Sequence, residues 1–154
     1  ALGIDGLPYH YRLEHEKEDL TLIQRFVEHM DWDERLAHPY LAWADESLIQ
    51  SCFSDFETGL TYTANGFYGP QGRSLRLANS KEDHIQRLSE FKYGELRLTN
   101  IEMECAGLYA LGGALGHKMV TCCVLLAERK KNAFISDPQK AIDRMIAEVL
   151  QRLT

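Results

Sequence analysis

The sequence predicts an α/β fold in which helices pack around a mostly parallel or mixed sheet. Helix-like and strand-like patterns alternate along the chain without an internal repeat. The run Met119 to Ala127 is apolar on both faces, as in a central strand covered by helices on either side. No linker-like stretch divides the 154 residues, so they form one unit large enough to bury a core.

Taken in order, Pro8 to Leu13 is short and aromatic, which predicts a strand. Glu16 to Met30 spaces Leu20, Leu22, Ile23, Phe26 and Val27 as one helical face, with acidic residues at its start where the helix dipole favours them. Asp31 to Tyr40 reads as irregular, broken by Pro39. Asp45 can cap a second helix through Phe53, with Leu48, Ile49, Cys52 and Phe53 as its apolar stripe. Leu60 to Thr63 is a short β-prone run, and Ala64 to Ser80, with Gly66, Gly69, Pro70 and Gly72, is a loop. Ser80-Lys-Glu-Asp83 has capping-box form and opens a helix to about Phe91. A break at Gly94 and a strand over Leu96 to Leu98 follow.

Thr99-Asn-Ile-Glu102 is a second capping-box pattern, predicting a helix to about Gly116 with a weak point at Gly112-Gly113. After the Met119 strand, Asp137-Pro138 pairs an N-cap with proline at the first helical position. It starts a last helix to Leu153 that carries Ile142, Met145, Ile146, Val149 and Leu150.

Composition narrows the function. Seventeen Lys and Arg against 23 Asp and Glu leave a net charge of −6 with no basic cluster, which argues against a nucleic-acid partner. No apolar run approaches the roughly 20 residues of a membrane helix, so no membrane partner is expected. A small anionic ligand met by a few arginines stays open. The chain starts at Ala1 without a methionine, signal or transit pattern, so a processed terminus or a piece of a longer protein is expected. Cys52, Cys105, Cys122 and Cys123 form no Cys-x-x-Cys, and adjacent residues on a strand face opposite ways. Four buried thiols in a reducing compartment, the cytoplasm, are expected.

Three segments could carry chemistry. Gly66-Phe-Tyr-Gly-Pro-Gln-Gly-Arg73 sets two aromatics, an amide and a guanidinium between glycines, a set that can wall a planar ligand. A plain turn with a solvated Arg fits the spacing too, and no Gly-Lys-Ser/Thr follows to make a P-loop. At Asn100-Ile-Glu-Met-Glu104 two carboxylates lie two apart; on a helix they would not share a face, so one caps and the other points inward. Arg129, in Glu128-Arg-Lys-Lys131, follows the long strand, where α/β proteins place ligands, although a solvated basic turn reads the same. His10 and His15, with Glu14 and Glu16, do not converge as metal ligands, and no metal site is expected. His117 is expected at a helix C-terminus.

Together these segments resemble the nucleoside phosphorylase family, most closely its uridine phosphorylase branch. Phe67-Tyr-Gly-Pro-Gln-Gly-Arg73 looks like that branch's Phe-Tyr-x-x-Gln-x-Arg loop, and Asn100-Ile-Glu-Met-Glu-Cys-Ala106 looks like the family's Asn-x-Glu-Met-Glu-Ser/Thr-Ala stretch. Ala1 to Tyr11 is similar to a strand and turn midway through the family's chain.

The resemblance implies a three-layer fold, a mixed central sheet flanked by helices, with residues 1–154 as the C-terminal portion of one such domain. It implies phosphorolysis of a nucleoside to free base and ribose 1-phosphate, with inorganic phosphate as co-substrate, no cofactor, and a homo-oligomer (dimer or hexamer). By the same resemblance Phe67 packs on the nucleoside, Gln71 and Arg73 bind a pyrimidine, and Met103 and Glu104 hold the ribose with Glu102 beside them. Arg129 closes over the base. Arg73, Glu104 and Arg129 are thereby the catalytic candidates. Branches acting on purines place an acid near the end of the long strand; Val124-Leu-Leu-Ala127 is apolar there, which favours a pyrimidine. Cys105 departs from the usual Ser or Thr, Ala127-Glu-Arg129 departs from Asn-Arg, and residues 14–44 match nothing closely. The family's phosphate-binding loop and arginines have no counterpart in these residues.

Overall fold

In the computed structural model, residues 1–13 and 17–153 are described. The elements are β1 (Leu2–Gly3), α1 (Leu7–Tyr11), α2 (Lys17–Met30), β2 (Tyr40–Leu41), α3 (Glu46–Cys52), β3 (Leu60–Thr63) and α4 (His84–Glu90). They continue with β4 (Lys92–Tyr93), β5 (Leu96–Glu102), α5 (Cys105–Ala114), β6 (Ala127–Glu128), β7 (Ala133–Phe134) and α6 (Pro138–Leu153). A single 3₁₀ turn, Gly69–Gln71, lies in the long loop after β3.

Five strands form a mixed sheet in the order β2-β1-β3-β5-β4. The central three, β1, β3 and β5, run parallel, and the outer two pair antiparallel. Strand alternation then sorts the core into two sides. Leu2 and Ile4, Leu41, and Leu60, Tyr62 and Ala64 pack with Leu22, Ile23, Phe26 and Met30 of α2 and Leu88 of α4. Their neighbours Ala1, Tyr40 and Ala42 pack instead with Cys105, Ala106 and Tyr109 of α5. Helices therefore cover both faces of the sheet, the three layers expected.

Several elements follow the sequence closely. Asp45 accepts the Leu48 N–H at 2.9 Å and caps α3, and Asp137 accepts the Lys140 N–H at 3.0 Å ahead of Pro138. Helix α5 ends in a Schellman motif: His117 N–H reaches the Gly112 carbonyl at 2.8 Å and Gly116 N–H the Gly113 carbonyl at 3.0 Å. His117 meets the helix end through its backbone.

Other expectations are corrected. Pro8 to Leu13 is not a strand. Asp5 accepts the Leu7 N–H at 2.9 Å, Gly6 adopts φ +73°, and proline in the first turn starts helix α1. Its aromatics Tyr9 and Tyr11 face solvent, so aromatic content misled. Ser80 to Asp83 does not act as a capping box: α4 starts at His84, and the Asp83 carboxylate is held by Arg87 at 2.5 Å.

Thr99 to Glu102 is strand, not helix start. Thr61, Tyr62 and Thr63 of β3 pair with Asn100, Ile101 and Glu102, and that ladder overrides the local pattern. Met119 to Leu126 is irregular and joins no ladder among the described residues; only Ala127 pairs, with Phe134. Its anchors are individual: Asp45 N–H to the Met119 carbonyl at 2.7 Å, and Thr121 N–H to the Tyr109 hydroxyl at 2.9 Å. Of the four cysteines only Cys105 is buried; Cys52 and Cys122 are half-buried and Cys123 is exposed.

Helix α6 has the expected apolar stripe, yet none of its residues is fully buried. Arg152 fastens it, donating to Asp55 at 2.6 and 2.8 Å and to the Cys52 carbonyl at 3.1 Å. Among the described residues no helix is long and apolar enough to cross a membrane.

Candidate functional site

Because β1, β3 and β5 are parallel, their carboxyl ends lie along one edge of the sheet. Ligands in open α/β sheets bind beyond such ends. The loop holding Phe67 to Arg73 leaves β3 there, and Met103 and Glu104 leave β5 beside it, since Thr63 and Glu102 are register partners.

The loop is held by its own backbone and from below. Arg73 N–H and Gln71 N–H both donate to the Tyr68 carbonyl, at 3.0 and 3.1 Å. The Pro70 carbonyl accepts from the Tyr62 hydroxyl at 3.3 Å and from His84 Nε2 at 3.1 Å. His84 therefore carries its proton on Nε2. Burial lowers its pKa, outweighing the bond to Pro70. Gly72 sits at φ +68°, and a Cβ there would meet Ile85 at 2.9 Å, so both conformation and close approach call for glycine.

This support gathers the predicted side chains. Arg73 donates from Nη1 to Gln71 Oε1 at 2.5 Å and also to the Phe67 carbonyl. Its guanidinium lies 3.8 Å from the Phe67 ring centroid, a cation–π contact that covers one face of that ring. Gln71 is only 6% exposed, and its amide nitrogen bonds no described residue. Arg129 arrives from the β6–β7 hairpin and donates from Nη1 to the Gln71 carbonyl, 58 residues away in sequence. Burial first, and then the nearby Arg73 charge, pulls the Arg129 guanidinium below its ordinary pKa. Two cations thus hold one buried glutamine, Arg73 at its side-chain oxygen and Arg129 at its backbone carbonyl, a local positive field in a chain of net charge −6.

The turn after β5 divides its two carboxylates. Glu102 is held by three donors: Thr63 donates to Oε1 at 2.5 Å, while the N–H groups of Glu104 and Cys105 donate to Oε2 at 2.6 Å each. Burial pushes the Glu102 carboxyl up, but these hydrogen bonds outweigh it and hold it below the ordinary carboxylate value. Glu102, two residues before the N-cap Glu104, thus serves the first N–H groups at the head of α5 and does not answer Thr99. Glu104 is different. It is exposed, and among the described residues its carboxylate accepts only the neighbouring Met103 N–H, at 3.0 Å, leaving lone pairs for a ligand hydroxyl.

Sequence reading missed the support beneath these groups. Thr63 both donates to Glu102 and accepts the Ala106 N–H at 3.0 Å, joining β3, β5 and α5. Tyr62 and His84 carry the Pro70 carbonyl. None has a motif of its own; only the β-alternation of Leu60 to Thr63 hinted at which residues face each way. The imagined His10–His15 metal group rests partly on residues 14–16, outside the described residues, as do Glu14 and Glu16. A cavity of about 880 Å³ lies elsewhere, lined by Gly59, Asn100, Tyr109, Thr121 and Cys123 among others, and none of the loop residues borders it.

A model of the Phosphorylase superfamily matches residues 10–153. The crystal structure of a nucleoside phosphorylase from Trypanosoma brucei, a protein that shows uridine phosphorylase activity, superposes with a TM-score of 0.75 at 24% identity. The match covers 99% of this chain and 55% of that one, so this chain spans about half the length of that structure. The likeness carries the fold, and the mixed sheet flanked by helices is that of a nucleoside phosphorylase. No curated protein matches the sequence.

Proposed function

Since the chain belongs to the phosphorylase superfamily, we propose that it supplies the base and ribose subsites for phosphorolysis of a pyrimidine nucleoside, uridine in the first instance. The observation that carries this reading is the convergence of Phe67, Gln71, Arg73 and Arg129 at the end of β3, on the same sheet edge as the exposed Glu104 carboxylate, which accepts the Met103 N–H.

As the base departs, the sugar gains cationic character and the pyrimidine ring gains negative charge. Gln71 offers its free amide nitrogen to a ring carbonyl, and its Oε1, already fixed by Arg73, keeps a lone pair for a ring N–H. The fixed guanidinium groups of Arg73 and Arg129 stabilise the developing anion without reorganising, which is the efficient form of electrostatic catalysis. Phe67 packs on the nucleoside. Met103 flanks the ribose and Glu104 accepts a hydrogen bond from a ribose hydroxyl, orienting the sugar for attack by phosphate. Glu102 acts through the turn it caps. Inorganic phosphate is the co-substrate and no cofactor takes part; the assembly is a homo-oligomer.

The test is the intact protein incubated with uridine, with and without phosphate. Uracil and ribose 1-phosphate should form in equal amounts, and only with phosphate present. Uracil release without phosphate would make it a nucleosidase, and binding without turnover a binding module; either contradicts phosphorolysis. Faster release of a purine from inosine or adenosine would contradict the choice of base.

A further inference from the structure

The 3₁₀ turn that carries Gln71 presents successive carbonyls, and each is taken by side chains from elsewhere in the chain. The Gly69 carbonyl accepts from Asn79 Nδ2 at 2.8 Å, beside the Gly72 N–H at 2.8 Å. The Pro70 carbonyl accepts from the Tyr62 hydroxyl at 3.3 Å and from His84 Nε2 at 3.1 Å. The Gln71 carbonyl accepts from Arg129. A single turn has too few internal hydrogen bonds to hold a shape of its own, so these outside donors fix its conformation.

Among the donors, His84 and Tyr62 stand apart by burial. Tyr62 is 0% exposed and His84 9%, whereas Asn79 and Arg129 are half-buried. Their rings meet edge to face, with 5.8 Å between centroids. Tyr62 comes from β3 and His84 opens α4, so the loop is tied to two regular elements. Burial pushes the Tyr62 hydroxyl up and the His84 imidazole down, which keeps both neutral and able to donate at pH 7. The peptide plane joining Pro70 to Gln71 is therefore pinned at both ends, its carbonyl by these two side chains and its N–H by the Tyr68 carbonyl at 3.1 Å. Arg129 holds the next plane. With both flanking planes fixed, the direction in which the Gln71 side chain leaves the backbone is fixed too.

We propose that His84 and Tyr62 are positioning residues for base recognition, holding the Pro70 carbonyl so that the Gln71 amide is set for a pyrimidine edge. The inference rests on the reading of Gln71 as the group that meets the base. Both residues act through the Pro70–Gln71 peptide and not by contact with the nucleoside. An amide fixed beforehand loses little freedom when the base arrives, and it favours the nucleoside whose edge matches its direction. The consequence is selectivity between bases, which a purely structural role would not produce.

The test compares His84→Asn with His84→Gln in the intact protein. The Gln amide nitrogen takes the place of imidazole Nε2, whereas the shorter Asn places its nitrogen near Nδ1 and falls short of the Pro70 carbonyl. For His84→Asn the expected result is a roughly tenfold fall in kcat/KM for uridine with the inosine value little changed, and His84→Gln should restore the uridine value. Hydrogen exchange at the Gln71 and Gly72 N–H groups should quicken in His84→Asn alone. Equal losses for uridine and inosine, or a His84→Gln enzyme as impaired as His84→Asn, would overturn the proposal. Where His84→Asn does not fold, Tyr62→Phe removes only the second donor to the same carbonyl. It should lower the uridine value alone by about threefold, and an undiminished uridine preference there would overturn the proposal as well. A wild-type protein that leaves uridine uncleaved contradicts the reading of the site instead. Exchange at Gln71 then decides the positioning role, and a rate unchanged in His84→Asn would end it.

Discussion

Two turns leave the same edge of the sheet and use their polar groups in opposite ways. After β3, Gln71, Arg73 and Arg129 hold one another, yet leave an amide nitrogen and guanidinium N–H groups available. After β5, Glu102 accepts from three protein donors, while among the described residues Glu104 accepts a single neighbouring N–H. The lesson is that identical residue types two positions apart differ in function according to which donors the fold has already pointed at them. Charge at the site is therefore divided into groups fixed by the fold and groups left for a ligand.

That division can be broken by substitution. Arg73→Ala should give the largest effect, a fall of about 10²-fold or more in kcat/KM for uridine, the loss typical of one preorganised donor at a developing anion. Steady-state kinetics measures it, and an unchanged kcat/KM removes Arg73 from the site. Glu104→Gln should cost about tenfold, since one charge-assisted hydrogen bond to the ribose is weakened. Its readout is the same assay, with thermal stability held near that of the wild type.

Glu102→Ala should show the reverse pattern. Two N–H donors at the head of α5 and the Thr63 hydroxyl of β3 lose their acceptor, so unfolding stability should fall by about 1–2 kcal/mol in urea denaturation. A loss of turnover with undiminished stability would exchange the roles assigned to the two carboxylates. The smallest effect concerns pH. Glu102 is held below the ordinary glutamate value of 4.5, so its stabilising contribution is complete above that value and is lost as pH falls through the depressed one. Acid unfolding of Glu102→Gln should accordingly show a shallower dependence below pH 4.5 than the wild type, and an identical profile would deny the hydrogen bonds their role.

Much of this was legible in the residues. Asp45, Asp137-Pro138 and Gly116 act locally, and each marks a helix end as its chemistry requires. Thr99 to Glu102 carries a capping-box pattern yet forms strand, because capping-box chemistry is local while strand pairing with β3 is not. Met119 to Leu126 departs from the expected strand for a related reason: an apolar run favours a strand, but a ladder needs a neighbour that the run does not specify. The loop motif pointed to Phe67, Gln71 and Arg73, which the structure brings into contact with one another. Arg129 joined them from 58 residues away, a convergence that rested on resemblance until the hairpin showed it. The supports Thr63, Tyr62 and His84 were invisible because a lone threonine, tyrosine or histidine acquires meaning only from the carbonyl or carboxylate placed opposite it.

The central claim is that Gln71, clamped by Arg73 and Arg129, reads a pyrimidine. It is tested most directly by measuring kcat/KM for uridine and inosine side by side on the intact protein and on Gln71→Ala. The account predicts that uridine is the better substrate and that Gln71→Ala removes most of that preference by lowering the uridine value alone. A preference for inosine, or a uridine preference that survives Gln71→Ala, would contradict it.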